Sequence, residues 1–323
     1  MARMPAAEVD VDEALVRRML AEQHPDLAGL PLALANEGWD NLVWRLGDDL
    51  AVRMPRRAAA VELVANEQRW LPELATRVQA AVDITLPVPV RTGRPTAEYP
   101  WSWSVVPWVD GRSAATVPLE SRTPAAGPLA AVVRALHVPA PADYPVNPVR
   151  GIPLTTRDPY VRDRLARGAI PRGREVAALW EELVATEAWS GPPVWLHGDL
   201  HAHNIVLGEV GDAGASLGLV AAGSDGAGSS PSARSSLGLV AVVDFGDLTA
   251  GDPATDLATA WLTFDAAGRA AFRTELTGRY DDATWCRARG WALSMTTAML
   301  DGSDDEPVLA ALGREALAQI LAG

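Results

Sequence analysis

The sequence contains no lysine, and all 28 of its basic residues are arginines. Any site that needs a fixed side-chain cation must therefore use arginine or a protonated histidine. Cysteine is almost absent as well, because Cys286 stands alone. This excludes a disulfide framework and a zinc site built from several thiolates.

Long apolar runs are also missing. No stretch approaches the length of a transmembrane helix, and the first eight residues lack the apolar core of a signal peptide. These absences favour a cytoplasmic protein without a membrane partner. A net charge of -13 argues against a nucleic-acid partner and against an anionic membrane surface. The 323 residues, 48% of them hydrophobic, suit a globular protein of one large or two ordinary domains.

Two strand-like apolar runs end in polar clusters, at residues 194–204 and 240–247. They place Asp199, Asn204 and Asp244 at strand ends, and such oxygen ligands are typical of magnesium sites. The spacing Asp-x-x-x-x-Asn followed by Asp-Phe-Gly is that of the kinase catalytic and metal-binding loops. It predicts phosphoryl transfer, with Asp199 as the catalytic residue that accepts or orients the hydroxyl proton. Asn204 and Asp244 are predicted to hold Mg²⁺.

The N-terminal part predicts a nucleotide site. Strands are expected at residues 32–34, 42–46 and 50–54, and the backbone of the first turn, around Gly38 and Asn41, could cover phosphates. An ordinary hairpin turn is the alternative for that segment.

Arg53 ends the third strand, and a helix predicted over residues 58–80 carries two glutamates. Kinase-type sites hold the nucleotide phosphates with a strand cation that a helix carboxylate fixes. Arg53 is therefore expected to pair with Glu67, with Glu62 as the second choice. The alternative is that Arg53 and the glutamate are solvated surface residues.

Two further strands are predicted at residues 86–90 and 101–109, the second ending at a turn. That turn predicts a lobe boundary, which divides the chain into 1–109 and 110–323. The backbone at Val106 and Trp108 would then form a hinge with amide and carbonyl groups free to bind the adenine edge.

The rest of the chain reads as mainly helical. Residues 140–159 are proline-rich and are expected to form a loop along the substrate cleft. Residues 208–238 are expected to form a flexible loop insertion, because Ser-Leu-Gly-Leu-Val-Ala occurs at both 216–221 and 236–241. Direct continuity predicts that the second copy forms the strand before Asp244. His137 is expected to be structural, and Asp252 and Asp256 to cap a helix, with Asp256 also bracing the catalytic loop.

The chain resembles the aminoglycoside phosphotransferase family, which consists of small-molecule kinases related in fold to protein kinases. The resembling segments are residues 197–204 (HGDLHAHN), 244–247 (DFGD) and 251–258 (GDPATDLA), with 51–56 and 99–101 upstream. The resemblance implies a bilobal α+β fold with an antiparallel N-terminal sheet and a helical C-terminal lobe. It also implies ATP or GTP as donor, and Mg²⁺. Arg53 in place of the usual lysine and the inserted loop are departures.

Two alternatives remain open. A metal-dependent hydrolase could use the cluster of His197, Asp199, His201 and His203. Otherwise His197 is expected to be structural, and His201 and His203 to be structural or solvent-facing. A non-catalytic nucleotide-binding relative would explain Arg53. The acceptor is also open among an aminoglycoside, a macrolide, another antibiotic and a small metabolic alcohol. An acidic run at residues 301–306 could attract an amine, although a solvated loop explains it equally. The oligomeric state is not predicted.

Overall fold

The computed structural model describes residues 6–210, 236–302 and 306–323. The first copy of the repeat and most of the predicted 208–238 loop lie outside these residues, as does the middle of the acidic run. Among the described residues, no helix is long and apolar enough to cross a membrane.

A five-stranded antiparallel sheet dominates the N-terminal part, with the strand order β1-β2-β3-β5-β4. Alternate residues of β2 are buried against helix α1 and the neighbouring strands, as the strand period of two requires. The strands and the first two helices are α1 (Glu13–Gln23), β1 (Leu32–Glu37), β2 (Asn41–Leu46), β3 (Leu50–Pro55), α2 (Val61–Ala81), β4 (Arg91–Gly93) and β5 (Trp103–Pro107).

One predicted strand is wrong. Residues 86–90 form no strand, and β4 begins only at Arg91, where it pairs with β5. Pro87 and Pro89 explain the difference, because proline has no amide hydrogen to donate to a strand ladder. The helix predicted over residues 58–80 is confirmed as a short 3₁₀ turn followed by α2.

Helix α2 presents one charged residue on its buried face. The buried residues are Val64, Glu67, Leu71, Leu74, Ala75 and Val78, which recur at the spacing of a helical stripe. Glu67 is therefore directed towards the sheet, whereas Glu62 lies on the exposed face.

The C-terminal part is mainly helical. Its helices are α3 (Ala126–Leu136), α4 (Asp158–Ala166), α5 (Gly173–Val184), α6 (Ala254–Leu257), α7 (Thr259–Leu262), α8 (Ala266–Glu275), α9 (Asp282–Asp301) and α10 (Pro307–Ala322). They enclose one large apolar core, and α9 runs through it with most of its side chains buried.

Two small antiparallel sheets carry the polar clusters in this part. One pairs β7 (Val194–Leu196) with β10 (Thr249–Gly251), and the other has the order β6 (Arg112–Ser113), β8 (Ile205–Val210), β9 (Ser236–Val242). The second copy of the repeat forms β9, which confirms that it supplies the strand before Asp244.

The α+β, kinase-like fold is thus confirmed, with an antiparallel sheet at the N-terminal end and a mainly helical remainder. The boundary between residues 109 and 110 stays a prediction.

Candidate active site

Strand β3 and helix α2 bring Arg53 and Glu67 together. Nη1 of Arg53 donates to both carboxylate oxygens of Glu67, at 3.0 and 2.8 Å. Both residues are buried, Arg53 to 9% exposure and Glu67 to 3%. Burial alone would lower the pKa of Arg53, but its attraction to Glu67 and Asp244 raises that pKa and keeps the guanidinium charged. The glutamate that pairs with Arg53 is thus Glu67, the first choice from the sequence, and not Glu62.

Asp244 follows β9 in an unusual backbone conformation. Its φ of 64° and ψ of 65° lie in the left-handed region, which costs free energy for a residue other than glycine. The side chain remains 57% exposed, and its Oδ1 lies 3.6 Å from Nη2 of Arg53. A strained backbone therefore holds an exposed carboxylate beside the buried Arg53–Glu67 pair.

The loop after β7 carries Asp199, and the side chain of Asp256 fixes its backbone. The Asp256 carboxylate accepts the backbone amides of His197 at 2.7 Å and Gly198 at 2.9 Å. Asp256 is fully buried, and His137 contacts the same carboxylate at 3.2 Å. Asp256 therefore holds the catalytic loop in position. His137 is structural, because its ring contacts the Asp256 carboxylate.

A glycine is required within this loop. Gly198 has a φ of 86°, and a Cβ there would lie 2.3 Å from the Asp247 carbonyl oxygen. The close approach places the loop against the Asp-Phe-Gly segment, so the two polar clusters of the sequence meet.

Both carboxylate oxygens of Asp199 have cationic or polar partners. Oδ1 accepts from Nη2 of Arg150 at 2.7 Å, and Oδ2 contacts Nε2 of His201 at 3.1 Å. Burial alone would raise the pKa of Asp199, but His201 and Arg150 together hold that pKa well below its ordinary value. Asp199 is therefore held in its ionised form, in which both carboxylate oxygens accept hydrogen bonds.

Asn204 ties the catalytic loop to the second cluster. Its side-chain amide nitrogen donates to the Asp199 carbonyl at 2.9 Å, and its own carbonyl accepts the amide of Val243 at 2.9 Å. Within the described parts of the chain, no group hydrogen-bonds the side-chain oxygen of Asn204. This amide oxygen and the exposed Asp244 carboxylate are the donor types that Mg²⁺ prefers, so these residues fit the ion.

His197 and His201 of the catalytic loop are committed to other contacts, whereas His203 is exposed. His197 receives the Asp199 amide at Nδ1 and bonds the Val243 carbonyl through Nε2. His201 receives the His203 amide at Nδ1 and contacts Asp199 through Nε2. In the described ranges, no group of three or more His, Cys, Asp or Glu side chains could hold a metal ion. This arrangement opposes the metal-dependent hydrolase.

The turn between β1 and β2 is closed by its backbone. The Gly38 amide donates to the Asn41 carbonyl at 2.9 Å, and Arg56 donates to the Gly38 carbonyl at 3.2 Å. Asn41 Oδ1 is buried, and none of the described residues hydrogen-bonds it. Contact of Gly38 and Asn41 with a nucleotide stays a prediction.

The expected hinge differs in one respect. The Trp108 amide is not free, because it donates to the Asp49 carbonyl at 2.7 Å and extends the pairing of β5 with β3. The indole of Trp108 donates to Asp110 at 2.9 Å, and Arg45 lies over its ring. The expectation of a free amide at Trp108 is therefore wrong. Nucleotide contacts by Val106 or by other groups of Trp108 stay predictions.

Sequence reasoning missed Arg150 entirely and assigned His201 no contact with Asp199. Arg150 lies in the proline-rich loop, which has no periodicity to mark it. The one usable signal was Asn147-Pro148, a turn-forming pair three residues before an arginine in a loop expected to line the cleft.

A family model described as the phosphotransferase enzyme family matches residues 32–220 and 236–291. No curated protein matches the chain.

Among solved structures, the chain is similar to the GDP and kanamycin complex of APH(2")-IIia, with 16% identity, a TM-score of 0.62 and coverage of 95% of this chain and 98% of that one. It is also similar to macrolide 2'-phosphotransferase type I, with 16% identity, a TM-score of 0.55 and coverage of 96% and 98%. A third is the apoenzyme of macrolide 2'-phosphotransferase MphH from Brachybacterium faecium, with 23% identity, a TM-score of 0.50 and coverage of 95% and 97%. At these identities the likeness shows a shared fold.

Proposed function

Since this chain belongs to the phosphotransferase enzyme family, we propose that it transfers the terminal phosphate of ATP or GTP to a hydroxyl of a small molecule. The observation that carries the proposal is the meeting of Asp199 and Asn204 with Asp244 beside the Arg53–Glu67 pair. An ionised acceptor for the hydroxyl, oxygen ligands for a divalent ion and a buried cation for phosphates are the parts that phosphoryl transfer uses.

In the proposed step, Asp199 accepts a hydrogen bond from the acceptor hydroxyl and orients its oxygen towards the terminal phosphorus. The new bond joins that oxygen to phosphorus, while the bond from phosphorus to the bridging oxygen of the nucleotide breaks. The nucleoside diphosphate leaves, and the hydroxyl proton passes to Asp199 or to the transferred phosphate. The low pKa of Asp199 suits this role, because a loose transition state depends on position more than on basicity.

Asn204 and Asp244 would hold Mg²⁺, which when bound would neutralise negative charge on the nucleotide phosphates. Arg53 would bind the inner phosphates, and Glu67 keeps its guanidinium in place. An arginine provides two donor faces where a lysine provides a point charge, so Arg53 can contact phosphate and Glu67 simultaneously.

For the acceptor we propose a hydroxylated small molecule such as an aminoglycoside or a macrolide, which would place the protein among antibiotic-modifying enzymes. The similar structures support this choice, since they include kanamycin, gentamicin and streptomycin complexes and two macrolide phosphotransferases. The APH(2")-IIia complex contains GDP and the streptomycin complex of APH(2")-IIa contains ATP, which supports both nucleotides as donors.

The test is transfer of labelled phosphate from ATP and from GTP, with Mg²⁺, to a panel of aminoglycosides, macrolides and simple hydroxylated amines. We expect at least one phosphorylated product. Asp199→Ala should remove turnover while nucleotide binding remains, because Asp199 acts on the acceptor. The exposed Asp48→Ala variant serves as the matched control and should keep wild-type turnover.

Two outcomes would contradict the proposal. Full turnover by Asp199→Ala would remove Asp199 from its role. Tight nucleotide binding by the wild-type protein without transfer to any acceptor would support the non-catalytic relative instead.

A further inference from the structure

The guanidinium of Arg150 determines the orientation of Asp199 from outside the catalytic loop. It contacts Oδ1 at 2.7 Å, and the two side chains are only 19% and 23% exposed. Oδ2 of the same carboxylate is occupied by His201, with Asn204 at 3.4 Å. Arg150 is therefore the only described side chain that holds the oxygen left for an acceptor.

The backbone that carries Arg150 is fixed by Asn147. The side-chain oxygen of Asn147 accepts the amides of Val149 at 2.9 Å and Arg150 at 3.1 Å. Its side-chain nitrogen donates to Asp247 at 2.7 Å, and its backbone amide donates to Thr249 at 3.2 Å. The turn is therefore bound to the segment that follows Asp-Phe-Gly.

Gly151 anchors the other side of Arg150. Its carbonyl accepts the Asp252 amide at 3.0 Å, and its amide donates to Thr255 at 3.3 Å. It has a φ of 69°, and a Cβ there would lie 3.1 Å from the Ala250 carbonyl oxygen. Since Asn147 and Gly151, which lie on either side of Arg150 in the chain, are bound to the same segment, the guanidinium is presented from a fixed backbone.

Arg150 also separates two carboxylates. Its Nε is buried without a hydrogen-bond partner among the described residues and lies 4.0 Å from Oδ2 of Asp247. One cation thus faces both Asp199 and Asp247. Without it, Asp199 would lose the charge that holds Oδ1 and would keep only the contacts of Oδ2 with His201 and Asn204.

On the premise of the proposed phosphoryl transfer, we propose that Arg150 is a positioning residue that fixes the Asp199 carboxylate for the acceptor hydroxyl. It acts through Asp199, so it affects the chemical step and not nucleotide binding, which depends on Arg53 and the metal ligands. Misplacing a reacting group by about 1 Å can cost roughly 100-fold in rate.

The experiment compares Arg150→Ala and Arg150→Lys with Arg157→Ala. Arg157 is a matched control because it lies in the same stretch, is 8% exposed and forms no ion pair with any described residue. Steady-state rates are measured with the acceptor found in the transfer assay or, without one, with water in nucleotide hydrolysis. Thermal unfolding of each variant checks that it is folded.

We expect kcat of Arg150→Ala to fall roughly 10- to 100-fold while KM for the nucleotide changes less than about twofold. Added guanidinium, well below denaturing concentrations, should restore part of kcat. Arg150→Lys should keep an intermediate kcat, because an ammonium retains the charge but not the planar fork. Arg157→Ala should match the wild type in kcat.

An unchanged kcat in Arg150→Ala, or equal losses in Arg150→Ala and Arg157→Ala, would overturn the role of Arg150. Either result would leave the proposed phosphoryl transfer standing. If Arg150→Ala fails to fold, Arg150→Lys decides: reduced kcat at unchanged nucleotide KM supports the role, and wild-type kcat overturns it. A wild-type protein that neither transfers phosphate nor hydrolyses nucleotide overturns the proposed function, and the role of Arg150 with it.

Discussion

The guanidinium of Arg53 reaches two carboxylates from different elements. Nη1 holds Glu67 of α2, and Nη2 lies 3.6 Å from Asp244 after β9. A lysine at this position would offer a single compact charge, whereas the planar guanidinium faces Glu67 through Nη1 and Asp244 through Nη2. In a chain without lysine, the arginine therefore connects the sheet, the helix and the Asp-Phe-Gly segment through one side chain.

Glu67→Gln should weaken nucleotide binding. The substitution leaves the buried Arg53 without its main counter-charge, and breaking a buried ion pair typically costs about 3 kcal/mol in the free energy of unfolding. We expect a higher Kd for the nucleotide by titration and a lower midpoint in denaturant unfolding. Glu62→Gln, on the exposed face of the same helix, should change neither; equal effects in both variants would refute the pairing.

Asp244→Ala should remove the magnesium dependence of nucleotide binding. The wild-type protein should bind nucleotide more tightly with Mg²⁺ than with a chelator present, because the ion joins the Asp244 carboxylate to the phosphates. In the variant the two affinities should converge when measured by calorimetry. An unchanged advantage of Mg²⁺ in the variant would show that Asp244 is not a ligand.

The local spacing of Asp199, Asn204 and Asp244 made them predictable, because each lies in a short motif whose strand context is visible in the sequence. Arg150 was not predictable, since its contact with Asp199 spans 49 positions and depends on how an aperiodic loop folds back. The prediction of a free amide at Trp108 failed for a related reason, because the bond of this amide to the Asp49 carbonyl depends on how far the β3–β5 pairing extends.

At the scale of elements, the segment from β10 to α6 supports the catalytic loop. β10 pairs with β7, which leads into the loop, and Asp256 in α6 accepts the amides of His197 and Gly198. The motif at residues 251–258 therefore connects a strand, a helix and the catalytic loop, which explains why its acidic residues are buried.

Asp256→Asn should destabilise the protein and also lower kcat. Asparagine has one side-chain oxygen, so one of the two loop amides would face an NH₂ group and lose its partner, at a cost of about 1–3 kcal/mol. The same change would release the loop that carries Asp199. Denaturant unfolding and steady-state kinetics measure the two effects.

Asp252→Asn is the matched comparison for Asp256→Asn. Asp252 is also buried in this motif, but it pairs with Arg287 at 2.7 Å and does not contact the catalytic loop. Its substitution should lower stability while leaving kcat of the remaining folded protein near the wild-type value. If both variants lose kcat equally, the effect of Asp256 is one of general stability.

The error at residues 86–90 shows a limit of strand prediction at this scale. Alternating Val and Pro imitates the period of a strand, and β-branched residues favour that conformation. Residues 86–90 contribute one backbone hydrogen bond to the sheet, from the Val90 amide to the Val105 carbonyl at 2.8 Å, and the isolated bridge at Thr85 lies before them. The helices were easier to predict, because their apolar stripes recur over several turns.

At the scale of the whole molecule, β8 and β9 form an antiparallel pair in which Val210 lies opposite Ser236. The two ends that residues 211–235 connect are therefore neighbours in the sheet, and a tight turn can join them directly. Both polar clusters lie at the opposite end of this pair, since Asn204 precedes β8 and Asp244 follows β9. Asn204 and Asp244 are thus separated from Val210 and Ser236 by the length of the two strands.

Replacing residues 211–235 with an Asn-Gly turn should therefore leave kcat and KM at their wild-type values. Loop-closure entropy changes by about 0.6 kcal/mol per doubling of length, so an order-of-magnitude shorter loop should raise the free energy of unfolding by at most about 2 kcal/mol. Urea unfolding and steady-state kinetics check both expectations. A variant with the same 211–235 composition in scrambled order separates length from sequence: loss of activity in both variants would show that the segment contributes to the site, whereas loss only in the shortened one would show that its length is required.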